Sequence, residues 1–134
     1  MNPLLRSLAI GAALACAVAS AAAAAPPQPQ AARACFYQRQ LSSWAVSGDD
    51  KVNLKVGVHD YYQLKLLGSC PDLRWTETLG LETRGGSDFI CSGLDVTVIV
   101  PRSETQTVPM RCAATSLRKL SPEEITALPP KEKP

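Results

Sequence analysis

The chain has 134 residues, with 14 lysines and arginines against 12 aspartates and glutamates, and five cysteines. Its formal net charge of +2 has both signs interspersed, without a basic stripe or a basic amphipathic helix, which argues against a nucleic-acid binder or a membrane-surface binder. A chain of this length holds one domain at most, and a domain of about 90 ordered residues buries only a limited core.

The first 24 residues have the layout of a secretory signal peptide. A short start that carries Arg6 leads into the apolar run 7–18, and small residues that suit a cleavage site follow. The apolar run is too short to span a bilayer as a helix. We therefore predict export to the periplasm or out of the cell, with residues 25–34 as an alanine- and proline-rich linker.

Cys16 lies inside this apolar run and gives a second interpretation. Residues 13–16, Ala-Leu-Ala-Cys, weakly resemble the cleavage box of bacterial lipoproteins, although that box usually has leucine where this chain has Ala13. If Cys16 is lipidated, this anchor is the one predicted route to a membrane, and residues 17–34 form a tether. Otherwise Cys16 is removed with the signal peptide.

Four cysteines follow the signal peptide: Cys35, Cys70, Cys91 and Cys112. An even number in a small exported domain predicts two disulfides, because cross-links compensate for a small core. The rival interpretation is a metal site, but the cysteines lie 35, 21 and 21 residues apart, without the close pairs that metal sites use. Of the three pairings we favour Cys70–Cys91 with Cys35–Cys112, which ties the central segment to itself and the first strand to the last.

Residues 35–66 predict the first strands. Spaced apolar residues over 35–46 indicate one or two short strands, and residues 47–50, Ser-Gly-Asp-Asp, have turn chemistry. Alternation then predicts a hairpin of two half-buried strands. Its buried face would carry Val52, Leu54, Val56 and Val58 from one strand, and Tyr62, Leu64 and Leu66 from the other.

The single histidine, His59, falls in the connection of this hairpin. The two apolar faces match only with a loop of three or five residues, in which Tyr62 lies opposite Val58 or Val56. Both registers keep His59 off the buried face. Because no second histidine or cysteine lies near it in sequence, we interpret His59 as a loop residue rather than as a catalytic or ligating one.

The second half of the domain alternates in the same way. Pro71 ends the preceding strand, and further strands are predicted around residues 79–83, 89–91, 94–100 and 108–117, with an exposed loop at 102–107. Residues 84–88, Arg-Gly-Gly-Ser-Asp, are interpreted as a Gly-Gly hairpin connection. A loop that cradles an anion is the alternative, although it matches no phosphate-loop spacing.

The C-terminal region begins with a helix-start signal. Ser121 as N-cap, Pro122 at the first helical position and Glu124 three residues after the cap form a capping box, flanked by the hydrophobic-staple residues Leu120 and Ile125. This predicts a short helix from Pro122 to about residue 128. Residues 129–134 are predicted to be a solvated polar tail.

The ordered combination of these residues resembles an uncharacterised family of small exported bacterial proteins, a domain of unknown function. The resemblance runs from Cys35 to about residue 128, and it implies no activity, substrate or catalytic residue. Some members look like lipoproteins, which favours lipidation at Cys16. The matching residues are Cys35-Phe36, Trp44, Asp49-Asp50, Tyr62, residues 67–73, residues 84–87, Ile90-Cys91, Cys112 and residues 120–124.

We therefore predict a mainly β fold over residues 35–128, a small antiparallel barrel-like or sandwich domain with two disulfides and a short C-terminal helix. It would have about five to seven strands. We predict a non-enzymatic binding module of the periplasm or cell envelope, whose partner is an unknown macromolecule or small ligand, and we predict no cofactor or metal.

Two alternatives remain open. The first is a small hydrolase that acts on cell-wall or glycan material, in which two carboxylates converge beside Arg84 and share the acid and base roles. Its candidate residues, all in or near predicted turns, are Asp49, Asp50, Asp60, Asp72 and Asp88. The second is a protein similar to bacterial lysozyme inhibitors, which are also small exported β-barrels with disulfides; this analogy is at the level of the fold alone.

Overall fold

The computed structural model describes residues 34–101 and 107–134. Within these ranges the chain forms eight strands and one α-helix, and none of the helices is long and apolar enough to cross a membrane. The elements are β1 (Phe36–Tyr37), β2 (Leu41–Ser47), β3 (Lys51–Val56), β4 (Asp60–Leu66), β5 (Gly80–Thr83), β6 (Phe89–Ile90), β7 (Val96–Val100), β8 (Met110–Lys119) and α1 (Pro122–Ala127). The predicted signal peptide, Cys16, residues 25–33 of the linker and residues 102–106 of the predicted loop lie outside the described residues.

The six longer strands form one antiparallel sheet in the order β2-β3-β4-β8-β7-β5, and β1 pairs with β6 in a separate ribbon. Strand β8 joins the two halves of the sheet, because residues 114–119 pair with β4 and residues 110–113 pair with β7. The sheet curls into a half-barrel, as twisted sheets of this width do. The predicted mainly β, barrel-like fold with two disulfides and a short C-terminal helix is confirmed.

The core lies on the concave face of this sheet. Alternate residues of each strand point inward, as their spacing predicts, and the β1–β6 ribbon adds Phe36 and Ile90. Leu73, from the connection between β4 and β5, is also fully buried there. Burial of each such side chain contributes about 1.5–3 kcal/mol. The buried inward residues of the sheet are Val52, Leu54, Val56, Tyr62, Leu64, Leu66, Leu81, Val96, Val98, Val100 and Ala114.

The β3–β4 hairpin confirms the predicted position of His59 but corrects the register. Leu54 lies opposite Tyr62, and Val56 lies opposite Asp60. The loop therefore has three residues, Gly57 to His59, and Val58 is 72% exposed rather than on the buried face. The loop starts at Gly57, as the five-residue alternative predicted, but it ends at His59 rather than two residues later; Gly57 adopts a φ of 60°, a conformation that favours glycine. His59 is exposed in the connection.

The structure pairs Cys35 with Cys91 and Cys70 with Cys112, so the favoured pairing was wrong. Cys35 and Cys91 flank the ribbon in which β1 pairs with β6. Cys70 follows β4, and Cys112 lies on its neighbour β8. The strand order therefore decides the disulfides, and periodicity does not reveal pairing between strands that are distant in sequence.

Two other predictions are corrected by the strand pairing. Residues 84–88 do not close a hairpin, because β5 pairs with β7 whereas β6 pairs with β1; the segment carries the chain from one sheet to the other. Leu94 is 61% exposed and lies in a 3-10 turn, Gly93–Asp95, instead of in the strand. The turn predicted at residues 47–50 is confirmed for residues 48–50, since Ser47 still belongs to β2, and the predicted end of β7 before Pro101 is confirmed.

The capping box is confirmed, and α1 starts at Pro122. The chain beyond α1 differs from the solvated tail that we expected. A 3-10 turn, Pro130–Glu132, lies against the outer face of the sheet, where the Asn53 side-chain amide donates to the Glu132 carbonyl at 2.8 Å. Asn53 is fully buried, and a buried amide requires partners, which explains why the segment is held there.

Candidate functional site

A cleft of about 430 Å³ runs beside the free edge of β2. It is lined by Trp44, Val46, Gly48, Leu73, Arg74, Thr76, Lys131 and Glu132, and we call it the β2 cleft. Strand β2 has β3 on one side and no strand of residues 34–101 or 107–134 on the other, because it ends the six-stranded sheet. The cleft is thus located where the half-barrel fails to close.

The inner part of the cleft is apolar. Trp44 and Val46 lie opposite Leu54 and Val52, so they share the core-facing side of β2. Both side chains are partly buried and pack against the core together with the fully buried Leu73. The exposed parts of Trp44 and Val46 give the β2 cleft a floor that can accept an apolar group.

The inner wall is the turn at residues 70–76, which the chain holds in a defined shape. The Leu73 amide donates to the Cys70 carbonyl at 3.4 Å, and the Trp75 amide donates to the Asp72 carbonyl at 2.9 Å. The disulfide from Cys70 to Cys112 fixes the start of this turn to β8. The wall is therefore anchored covalently at one end.

The polar groups on this wall are arranged around Arg74. Its guanidinium donates to a carboxylate oxygen of Asp49, which lies in the β2–β3 turn. This contact connects the two sides of a smaller hollow of about 170 Å³, which continues from the β2 cleft and shares Val46, Leu73 and Arg74 with it. Trp75 lines the smaller hollow and is 85% exposed.

The outer wall comes from the C-terminal 3-10 turn. The Ser47 hydroxyl donates to a Glu132 carboxylate oxygen at 2.5 Å, and the Asn53 amide donates to the Glu132 carbonyl. Glu132 is thereby held on the outer face, and Lys131 beside it reaches the cleft. The Lys131 ammonium makes no ion pair with a described residue, so it is the cation available to a ligand.

A wider hollow of about 1010 Å³ lies near the start of β4, where Tyr62 lines it. Its polar groups already serve one another: Lys119 contacts Asp60 at 2.6 Å, and Arg118 contacts Glu124 at 2.6 Å. The hydrogen bond with Asp60 raises the pKa of Lys119, and burial raises the pKa of the Tyr62 phenol. Because its charges are paired internally, this hollow offers a ligand less than the β2 cleft does.

The structure does not bring the predicted aspartates together beside Arg84. Asp49 and Asp72 line the same small hollow, and Asp50 lies in the same turn as Asp49. The other aspartates lie elsewhere: Asp60 at the opposite end of the β3–β4 hairpin with Lys119, and Asp88 in the connection to β6, 4.0 Å from Arg39. No group of three or more His, Cys, Asp or Glu residues in 34–101 and 107–134 is placed to hold a metal ion.

The residues of the β2 cleft were missed at the level of sequence. Trp44, Arg74 and Lys131 are far apart along the chain, and Lys131 lies in the segment interpreted as a solvated tail. One local signal was available in Arg74-Trp75, since these two residue types are enriched at binding hot spots. Their proximity to Trp44 and Lys131 depends on the tertiary fold.

The chain matches a known protein family. A model described as a family of unknown function (DUF6491) matches residues 4–133. No curated protein and no solved structure matches the chain.

Proposed function

The chain belongs to a family of unknown function, DUF6491, and for this chain we propose a role as an exported binding module that holds its partner in the β2 cleft. The single observation that supports this role most is the cleft itself. It combines an apolar floor at Trp44 and Val46, a rim cation at Lys131 and a wall anchored by a disulfide. Binding sites commonly combine a mostly apolar lining with a few placed polar groups.

Export is supported by the two disulfides and by the predicted signal peptide. Disulfides form and persist mainly in oxidising compartments such as the periplasm and the outside of the cell. The bridged cysteines are 56 and 42 residues apart, and closing loops of these lengths stabilises the fold by about 4 kcal/mol each in the chain-entropy model. For so small a domain this contribution is a large part of the total stability.

A binding role suits the site better than hydrolysis does. A glycosidase needs two carboxylates that face each other across the reacting bond. Here Asp49 is engaged by Arg74, and Asp60 is engaged by Lys119 at the other end of the hairpin. We therefore propose recognition without turnover.

Ligand-observed NMR tests this role on the protein expressed from its full sequence. The probes are neutral oligosaccharides, soluble cell-wall muropeptides and synthetic decapeptides. We expect at least one class to bind, and we expect Arg74→Glu and Lys131→Glu each to weaken that binding about tenfold. The matched control is Lys65→Glu, the same charge reversal on an exposed residue of β4, two strands away from the cleft.

Two results would contradict the proposal. One is that no probe binds, or that all three variants bind as the parent protein does. The other is the appearance of cleaved products in the same samples, which would show that the protein is an enzyme.

A further inference from the structure

We propose that the occupant of the β2 cleft is an extended, acidic polypeptide segment of another protein, which adds to the free edge of β2 as an extra strand. This inference rests on the proposed binding role and names the class of partner. It is based on three features of the described residues: the open backbone of β2, the contrast with the other sheet edge, and the charges of the rim.

The backbone of β2 is open along one side. Strand β2 pairs only with β3 among the described residues; the Leu41 amide donates to the Gln38 carbonyl at its start, and no other backbone–backbone hydrogen bond of the described residues involves residues 42–47. In an antiparallel strand, N–H and C=O groups of alternate residues point to opposite sides, so about half of these seven residues present unpaired groups to the cleft. An extended polypeptide offers donors and acceptors at the matching spacing, which a sugar does not.

The edge of β2 has no charge or proline to block pairing, and the C-terminal 3-10 turn is hydrogen-bonded to it only at Ser47, at its end. Its sequence, LSSWAVS, has seven residues without charge or proline, and its one irregularity lies at the start, between Leu41 and Ser43. The other edge of the same sheet, β5, has four residues and carries Glu82, which contacts Arg111 at 2.6 Å. Short length and charge are the features by which proteins block an edge, so the sheet blocks β5 and leaves β2 open.

The side chains around the cleft define the chemistry of the added strand. One apolar side chain of that strand would fit between Trp44, Val46 and Leu73, since inward positions of an added strand point to the same face. An acidic side chain would meet Lys131, which makes no ion pair with a described residue; the carboxylate of the neighbouring Glu132 accepts a hydrogen bond from Ser47 instead. A second copy of this chain is disfavoured as the occupant, because its own β2, LSSWAVS, would bring no acidic side chain to Lys131.

The probes are decapeptides selected from a displayed random library for binding to the full protein. Amide hydrogen exchange of the protein then shows where the selected peptide binds. We expect the selected peptides to be acidic and to slow the exchange of every second amide within residues 43–47. N-methylation of the peptide residues whose N–H groups face β2 should abolish binding. N-methylation of the residues in between, whose N–H groups face away, should change the affinity by no more than about twofold. Lys131→Glu should weaken the peptide about tenfold, and the control Lys65→Glu should not.

Each remaining outcome overturns this inference. One such outcome is that peptides bind without slowing the β2 amides, and another is that only self-association of the protein slows those amides. If oligosaccharides occupy the cleft and peptides do not, the partner class is wrong but the binding role stands. If no probe of any class occupies the cleft, the binding role fails as well.

Discussion

The outer face of the sheet and the free edge of β2 are neighbouring surfaces that the chain treats differently. On the outer face, a row of side chains is joined by hydrogen bonds: Glu124 to Arg118 at 2.6 Å, Arg118 to Gln63 at 3.0 Å, and Gln63 to Asn53 at 3.0 Å. Asn53 then donates to the Glu132 carbonyl. These groups are satisfied by the chain itself, whereas the outward backbone groups of residues 42–47 in β2 have no backbone partner among the described residues.

This difference assigns stability to the outer face and binding to the edge of β2. Buried polar groups are hydrogen-bonded in stable folds, and no buried side-chain nitrogen or oxygen of the described residues lacks a partner. An exposed edge can remain unpaired because water solvates it, and it is then free to pair with another chain. We therefore expect changes on the outer face to reduce stability, and changes in the cleft to reduce binding with little loss of stability.

The largest expected effect comes from the disulfides. Replacing both cysteines of either bridge by serine should lower the free energy of unfolding by about 4 kcal/mol, measured by denaturant titration without reductant. The two variants should differ at the cleft: only Cys70→Ser with Cys112→Ser should accelerate amide exchange in residues 70–76, because that bridge anchors the cleft wall. Equal acceleration in the Cys35→Ser, Cys91→Ser variant would show that the wall does not depend on its own bridge.

Gly93 tests how closely the turn that precedes β7 packs on β8. A Cβ at this position would lie 2.3 Å from the backbone nitrogen of Ser116, so the strand itself would have to move. We expect Gly93→Ala to destabilise the protein by about 3 kcal/mol. The matched control is Gly86→Ala in the exposed turn before β6, where no atom lies within 4 Å of the added Cβ; its φ of 70° should cost about 1 kcal/mol. A smaller effect at Gly93 than at Gly86 would contradict the packing.

Asn53 is the central link of the outer-face row. Asn53→Ala leaves the Gln63 amide and the Glu132 carbonyl without their partner, which should cost about 2 kcal/mol and release residues 130–132 to faster exchange. Lys131→Ala, which truncates an exposed side chain of the cleft, is the comparison and should change stability by less than about 0.5 kcal/mol. If the two substitutions cost the same, the outer face is not the stabilising surface.

The smallest expected effect is the contribution of Glu124 to the pH dependence of the free energy of unfolding. Hydrogen bonds from the Ser121 backbone amide and then from the Arg118 guanidinium hold the pKa of Glu124 below its ordinary value of 4.5. Because the folded pKa is the lower one, the carboxylate stabilises the fold fully above pH 4.5, and this contribution is lost as the pH falls below that value. Urea titrations at pH 7 and at about pH 3.5 should show a smaller acid-induced loss for Glu124→Gln than for the parent protein. The exposed control Glu77→Gln should lose as much as the parent.

Local features of the fold were predictable from the sequence. Alternation identified the buried faces of β3, β4 and β7, and the residues from Ser121 to Glu124 identified the start of α1. Each of these patterns depends only on residues close in sequence within one element. The register of the β3–β4 hairpin shows the limit of these patterns, since neither predicted register places Leu54 opposite Tyr62. The His59 position survived this difference because the connection, rather than one residue in it, was predicted.

Features that depend on pairing across the chain were not predictable. The disulfides follow the pairing of β4 with β8 and of β1 with β6, and no periodicity encodes which strands become neighbours. The β2 cleft likewise combines residues near positions 44, 74 and 131. Residues 129–134 were expected to be a solvated tail, but the Glu132 carbonyl accepts a hydrogen bond from the Asn53 side-chain amide. That buried amide on β3 requires a partner, and only the tertiary fold brings Glu132 to it.

Amide hydrogen exchange on the free protein is the most direct test of the open edge. The account predicts that alternate amides of residues 43–47 exchange at rates near those of an unfolded peptide, while amides of β3 and β4 exchange at least about a thousandfold more slowly. The same measurement should show β5 amides that face away from β7 exchanging as quickly, since that edge is blocked by charge rather than by a strand. Uniform protection along residues 43–47 would mean that β2 already has a partner on its outer side, and it would contradict the account.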